Sequence, residues 1–386
     1  MTISDSKIIR LLNVAVIAAL GHVLSVILVP YAAYKFGSEV ASSIAIVDSS
    51  IMLISAILAF GLSITVTRDV SQQKNWRGIL SNCLGARFIL SLFISVIALF
   101  LYFFSYINFV ALMCFLSAPI IAFNLDFALY GRNQPIRAAY ASFIRMSLPV
   151  LLFVSLPFVF DFFVSYTFLV IIFYVLSSAF VFYSLNLSPR FDLNINAIKL
   201  YRPVIYIGLA GLCITFQRLG FLTFFTADNK AILMLSSMLK IYLAFVAIRR
   251  LFIQTFYTSL LNESVYKKVE ISCVVIGLAV GLSFIFFSSF FSELIFSNSE
   301  KDTNEFILFS GVLIIAGSFF ATADARLFLE NKDKLYYMSA FTAVAIWLAS
   351  ISLVSFFDLE AQYILVALAV TEFTLALTYR YHLVNR

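Results

Sequence analysis

Six of the chain's 26 lysines and arginines, Arg87, Arg145, Arg218, Lys240, Arg249 and Arg250, stand inside long apolar runs. A cation at the centre of a bilayer costs at least about 2.5 to 3.5 kcal/mol on insertion scales, so it faces a wet cavity or a partner. Several together offer a path for an anion, because a guanidinium forks onto two phosphate or carboxylate oxygens and an ammonium supplies a point charge. Asp48 and Glu372 lie in apolar runs as well, and His22 adds an imidazole that titrates near neutrality.

The elements that must position these groups are membrane helices. With 62% hydrophobic residues, 12% charged and 44 phenylalanines, the 386 residues cannot make a water-soluble surface. Segmentation by charge, proline and glycine yields twelve apolar runs of spanning length, over residues 8–30, 39–67, 80–104, 108–130, 136–157, 163–186, 203–226, 231–256, 271–291, 305–326, 335–357 and 361–382. Lys7 and Arg10 precede the apolar stretch that runs to Val29, but that stretch is too long for a signal peptide, so it reads as a retained span. No loop is long enough to hold a soluble catalytic or nucleotide-binding domain. The net charge of +6 falls between or within spans rather than on a soluble face, which excludes nucleic acid as a partner. Cys83, Cys114, Cys213 and Cys273 are scattered and read as small packing residues, and no metal-ligand spacing occurs.

The loops orient the chain. Seventeen of the 26 cations fall on one side of this twelve-span register, among them Lys7, Arg68, Arg132, Arg202, Lys268 and Arg386; only Lys35, Lys230 and Lys301 fall on the other. Positive charge marks the cytoplasmic face, so both termini are expected there. Residues 187–202 then form a cytoplasmic connection between an N-terminal lobe of six helices, residues 1–186, and a C-terminal lobe of six, residues 203–386. An offset of 198 places Asp126 on Asp324, Leu129 on Leu327, Asn133 on Asn331 and Phe143 on Phe341, all in the fourth-to-fifth helix turn of each half. The fold class expected is an all-α integral membrane protein of twelve transmembrane helices, its two six-helix lobes related by a pseudo-two-fold axis along the membrane normal.

Depth sorts the charges. Those about nine to twelve residues from a helix end lie near the midplane, given a rise of about 1.5 Å per residue. His22, Asp48, Arg145, Lys240 and Glu372 are in that class, and Arg218 lies in the outer third. Arg87, Arg249 and Arg250 sit near the cytoplasmic boundary, where snorkelling would satisfy them. On the eighth span Ser236, Ser237, Lys240, Ala244, Ala247, Gln254 and Thr258 fall within about 60° of one direction. Met238, Tyr242, Phe245, Phe252 and Phe256 take much of the far side, so Lys240 is expected to point into the bundle and Arg249 away from it. The competing reading is simple pairing inside the bundle, Asp48 with Arg145 or Lys240 with Glu372. Asp48 and Glu372 could alternatively bind a coupling Na⁺ or proton, with His22 as a relay, while Asp126 and Asp324 near cytoplasmic helix ends read as structural or gating groups.

Two short stretches carry a family resemblance. Ala59 to Gln72 (AFGLSITVTRDVSQ) ends the second span with Gly-Leu and an arginine, and Asn124 to Arg137 (NLDFALYGRNQPIR) is similar to an Asp-aromatic…Gly-acidic signature, with Asn133 where the acid often stands. Both resemble polysaccharide flippases of the multidrug/oligosaccharidyl-lipid/polysaccharide exporter superfamily. The resemblance implies an O-antigen type flippase of the bacterial inner membrane, not an enzyme. It also implies a central cavity lined by spans 1, 2, 7 and 8, which carry Asp48, Arg68, Arg218 and Lys240. The partners implied are a lipid-linked oligosaccharide on polyprenyl diphosphate, membrane lipids, and a polysaccharide polymerase with its chain-length regulator; no cofactor is implied beyond a coupling ion. An ion-coupled multidrug exporter of the same superfamily is the alternative, and a multi-spanning enzyme of polysaccharide assembly the other. The first should have an acidic or aromatic cavity; the second lacks a nucleophile triad, Walker motif or metal cluster.

Overall fold

A computed structural model describes residues 5–155, 162–188, 195–225, 228–255, 260–296, 301–319, 321–330 and 332–384, all helical apart from turns. In chain order the α-helices are α1 (Asp5–Phe36), α2 (Ser38–Ala59), α3 (Leu62–Gln72), α4 (Trp76–Phe103), α5 (Phe109–Leu116), α6 (Ala118–Ala122), α7 (Asp126–Gly131), α8 (Pro135–Met146), α9 (Leu148–Ser155) and α10 (Phe162–Ser184). A 3₁₀ stretch, Ile195–Val204, leads into α11 (Ile205–Arg218), and a second, Gly220–Thr223, follows it. The remainder is α12 (Asn229–Thr255), α13 (Glu263–Phe286), α14 (Ser288–Phe296), α15 (Lys301–Ser318), α16 (Ala323–Leu329), α17 (Asp333–Phe356) and α18 (Tyr363–Val384). Among the described residues ten helices are long and apolar enough to cross a bilayer, or eleven if the bent pair Phe109–Leu116 and Ala118–Gly131 is one span. The chain is therefore a multi-pass integral membrane protein. Part of the expected first span, up to Val16, has side chains outside the described residues, as does His22.

Two compact units divide the chain. The first comprises Met1–Leu28, Ser43–Gly208 and Leu222–Phe225, and the second Val29–Ser42, Leu209–Phe221 and Thr226–Arg386. Within the first unit, α4 turns Phe93, Ile97 and Phe100 outward, all exposed. In water such a surface would aggregate; against lipid tails it is the favourable arrangement. Within the second unit α13 and α15 approach through small residues. A side chain at Gly281 would begin 2.7 Å from the Gly311 carbonyl oxygen, and one at Gly311 would begin 2.6 Å from that of Gly281. Close backbone approach of this kind gives dispersion contact that bulkier residues cannot reach in lipid.

Several expected spans are interrupted, the second, fourth and seventh among them. The second, residues 39–67, stops at Ala59 and resumes at Leu62, because Phe60 and Gly61 take φ of 32° and 79°. Gly61 is suited to this left-handed turn, and a Cβ there would stand 3.2 Å from the Val204 carbonyl oxygen. The fourth, residues 108–130, becomes α5, α6 and α7 with a 43° bend. Pro119, near the start of α6, lacks the amide that would continue α5, and Phe123 to Leu125 lie outside any helix. The seventh, residues 203–226, is α-helical only from Ile205 to Arg218.

Helix ends follow a common pattern. Ser105, Asn133, Asn186 and Asp358 all have positive φ. In each case the next residue's amide donates to the carbonyl five residues back, Tyr106 to Leu101, Gln134 to Leu129, Leu187 to Phe182 and Leu359 to Val354, at 2.8 to 2.9 Å. Short polar side chains tolerate the left-handed position that such caps need. The turn expected to repeat at offset 198 does so in backbone detail. Arg132 donates to Ala128 as Glu330 does to Arg326, and Gln134 donates to Leu129 as Lys332 does to Leu327. Both α7 and α16 carry their aspartate in the first turn.

Candidate functional site

In the second unit α18 alternates buried residues at three- and four-residue spacing, Leu368, Thr371, Glu372, Leu375 and Tyr379, which carries Glu372 into the interior. Glu372 is 4% exposed and accepts two hydrogen bonds from Arg218, from Nε at 2.6 Å and Nη2 at 2.8 Å. Arg218 is the last residue of α11, where a cation also meets the negative end of the helix dipole. The Tyr242 ring of α12 lies beneath the guanidinium at 5.9 Å. Gly317 of α15 makes room for that ring, since a Cβ there would stand 2.4 Å from the Tyr242 hydroxyl. Arg249 donates to the Gly317 carbonyl, which ties the fourth edge of this cluster together.

Lys240 lies on α12 about half a turn away from Tyr242 and is 5% exposed. Ser236 and Ser237, one turn before it, are fully buried, and Ser237 spends its hydroxyl on the Leu233 carbonyl at 2.9 Å. The opposite face does not look outward here: Met238 and Tyr242 are also fully buried. Amphipathic spacing therefore identified a polar stripe without identifying which face is covered. Gln254 and Thr258, the far end of that stripe, lie outside the described side chains.

The first unit holds a second arginine–carboxylate pair. Arg145, in the last turn of α8, donates to Asp126 of α7 at 2.9 Å, and its guanidinium lies 5.4 Å from the Tyr174 ring of α10. Asp48, midway along α2, accepts from the buried Tyr166 hydroxyl at 2.8 Å. Ser49 and Ser50 beside it reach Thr223 at 2.8 and 3.4 Å. Arg145 is thus held by Asp126, and Glu372 by Arg218. Asp126 is thereby half of an ion pair, while Asp324 accepts from the Ala325 amide at the start of α16. Arg68 is exposed on α3 and pairs with its neighbour Asp69 at 3.3 Å.

Two boundary assignments are corrected. Arg87 does not snorkel; it is 3% exposed, and its guanidinium donates to the Asn124 carbonyl and, at 3.5 Å, to that of Ile121. The Asn124 carbonyl lies in the break of the fourth span, where the arginine supplies a donor, whereas the Ile121 carbonyl also accepts from the Asn124 amide at 3.1 Å. The Phe127 ring lies 5.6 Å from it. Arg249, expected to point to the boundary, is bound to Gly317 instead. Arg250 is exposed, as expected.

Several polar groups escaped the sequence reading. Glu270 of α13 accepts from both the amide and the hydroxyl of Thr322, just before α16. Gln217 is fully buried with no hydrogen-bond partner for its amide among the described residues. Tyr242, Tyr166 and Tyr174 serve the charged groups directly but look like ordinary aromatics in sequence. One signal was available for Tyr174, which stands at offset 198 from Glu372, the position that also faces an arginine in the other unit.

No family profile and no curated protein sequence matches the chain. Its fold does match solved structures. The lipid II flippase MurJ in an inward closed conformation aligns with TM-score 0.75 at 12% identity, over 96% of this chain and 87% of that one. An inward-facing multidrug resistance MATE family transporter of the MOP superfamily aligns with TM-score 0.67 at 14% identity, over 94% and 93%. An outward-facing one aligns at 0.65 and 15%, over 96% and 94%.

Proposed function

We propose that this chain, sharing the fold of MATE and MurJ transporters, is a flippase. In this reading twelve spans in two six-helix lobes carry a polyprenyl-diphosphate-linked oligosaccharide, such as an O-antigen repeat unit, across the bacterial inner membrane by alternating access. Both termini are cytoplasmic, and a polymerase with its chain-length regulator receives the product. The observation that carries the reading is Lys240, an ammonium kept 5% exposed halfway along a membrane-crossing helix that also bears two buried serines. A cation there is expensive, and positive charge inside the membrane attracts an anionic cargo. Arg218 and Arg145 are the further headgroup ligands, and Arg68, exposed on α3, meets the diphosphate first. Asp48 is the group through which Na⁺ or H⁺ would couple, with His22 as a relay; Asp126 and Asp324 hold the matching turns at which each unit bends.

Likeness to a lipid II flippase supports a lipid-linked cargo, and likeness to MATE transporters together with Asp48 supports the second reading, ion-coupled drug export. Complementation separates them. In a strain lacking its own flippase, Lys240→Ala should insert normally yet abolish surface polysaccharide, while Lys240→Arg retains part of it. Full complementation by Lys240→Ala would overturn the anionic-cargo reading, and drug resistance conferred by the wild type without polysaccharide export would favour the second.

A further inference from the structure

Arg218 has two claims on it. Glu372 occupies Nε and Nη2, but a guanidinium carries five N–H donors in a planar fork, which binds a phosphoryl group bidentately as it does a carboxylate. Exposure is unequal across the pair. The Glu372 side chain is 4% exposed and that of Arg218 16%, so the arginine is the more accessible member of the pair. The position of the arginine adds a consequence. It ends α11, and three residues later, after Phe221, the chain leaves the second unit for Leu222–Phe225 of the first.

We infer that Glu372 is an intramolecular competitor for the substrate's diphosphate: the arriving anion takes the Arg218 fork, displaces the carboxylate and releases the end of α11. This rests on the flippase reading and assigns the pair a role within it. Charge favours the exchange at Glu372 itself, on which two guanidinium groups, Arg218 and Arg249, act, while Glu270 faces Arg249 from α13. Arg249 of α12 lies near Glu372 in addition to Arg218, as does the neutral Tyr242. From α17 comes Tyr336, and from α16 comes Asp324, which neighbours Tyr336. The acidic residues of α15, Asp302 and Glu305, lie in its first turns, where Glu305 instead meets Gln362 at 2.9 Å. A dianionic or trianionic headgroup would thus replace a monoanion among fixed positive groups, and the carboxylate sets a threshold that weak monoanions do not cross.

Binding of inorganic pyrophosphate and of farnesyl diphosphate to the full chain in detergent, measured by calorimetry, tests this. Removing the competitor should raise affinity, so Glu372→Gln should bind both probes about tenfold more tightly than wild type, equivalent to about 1.4 kcal/mol. Pyrophosphate should also restore to Glu372→Gln the thermal stability lost by leaving Arg218 unpaired. The double variant Arg218→Gln/Glu372→Gln buries no lone charge and should lose the probe. Binding of the probes by Glu372→Gln no more tightly than by wild type would overturn the competition while leaving the flippase reading intact. Probe binding retained in the double variant would also overturn it. Failure of both probes to bind wild type and Glu372→Gln alike would overturn both.

Discussion

Replacing Arg87 by methionine separates a buried strut from a boundary charge. The methionine keeps an apolar stem of similar reach and deletes the fork that bonds Asn124 and Ile121. A hydrogen bond from a charged donor is worth about 1.5 to 3 kcal/mol, and the bond to Ile121, at 3.5 Å, adds little. The ring contact with Phe127 adds about 0.5 to 1 kcal/mol. Against this stands the relief of no longer burying a guanidinium, several kcal/mol in principle but already offset in part by the carbonyls that bind it. The net destabilisation should be about 1 to 3 kcal/mol. Arg87→Lys should cost at least as much, because it still buries a charge while losing the planar fork. Thermal or denaturant unfolding in detergent measures both. A snorkelling arginine would be replaceable within about 0.5 kcal/mol, as exposed residues are. An unchanged melting profile for Arg87→Met would therefore refute the strut and restore the boundary assignment.

Two further outcomes bear on the second unit. Gly281→Val should destabilise by about 1 to 3 kcal/mol or prevent accumulation, because its Cβ would begin 2.4 Å from an Ile315 carbon and 2.7 Å from the Gly311 carbonyl oxygen; normal accumulation and melting would show that α13 and α15 do not touch there. At the turn between α16 and α17, burial raises the pKa of Glu330, but hydrogen bonds from Lys332 and Arg326 outweigh it and hold the carboxyl below its usual range. A depressed folded pKa gives stability that is present above the unfolded value and lost as pH falls through the folded one. Wild type should therefore lose stability more steeply than Glu330→Gln on acidification below about pH 4.5, the ordinary glutamate value, and identical acid profiles in unfolding experiments would exclude the linkage.

Membrane class and most helix positions were legible because hydrocarbon imposes them: an apolar run of sufficient length has few alternatives to a spanning helix. Breaks were less legible. Gly61 and Pro119 were visible, but a membrane helix tolerates either residue when neighbours satisfy the freed backbone. Only the structure brings the Arg87 guanidinium to Asn124 and Ile121. That is why a charge counted from the helix end looked like a boundary residue and proved to be interior. That Arg145, Arg218 and Glu372 stand within helices was readable; partner choice was not, since it depends on which helices adjoin within a unit.

The repeat sharpens that distinction between scaffold and chemistry. At offset 198 the α7 and α16 turns share their aspartate and two backbone hydrogen bonds, so the chain builds one bend twice. On α10 and α18 the equivalent positions have diverged: Tyr174 lies against Arg145, whereas Glu372 grips Arg218 through both oxygens. A tyrosine ring attracts a guanidinium by about 0.5 to 2 kcal/mol without neutralising it, and in that unit neutralisation falls to Asp126 on another helix. A glutamate at the same place puts charge, hydrogen bonding and the end of α11 under one group. Equivalent bends thus carry unequal charge pairing in the two units, and the asymmetry resides in residue 174 against residue 372 rather than in the bends themselves.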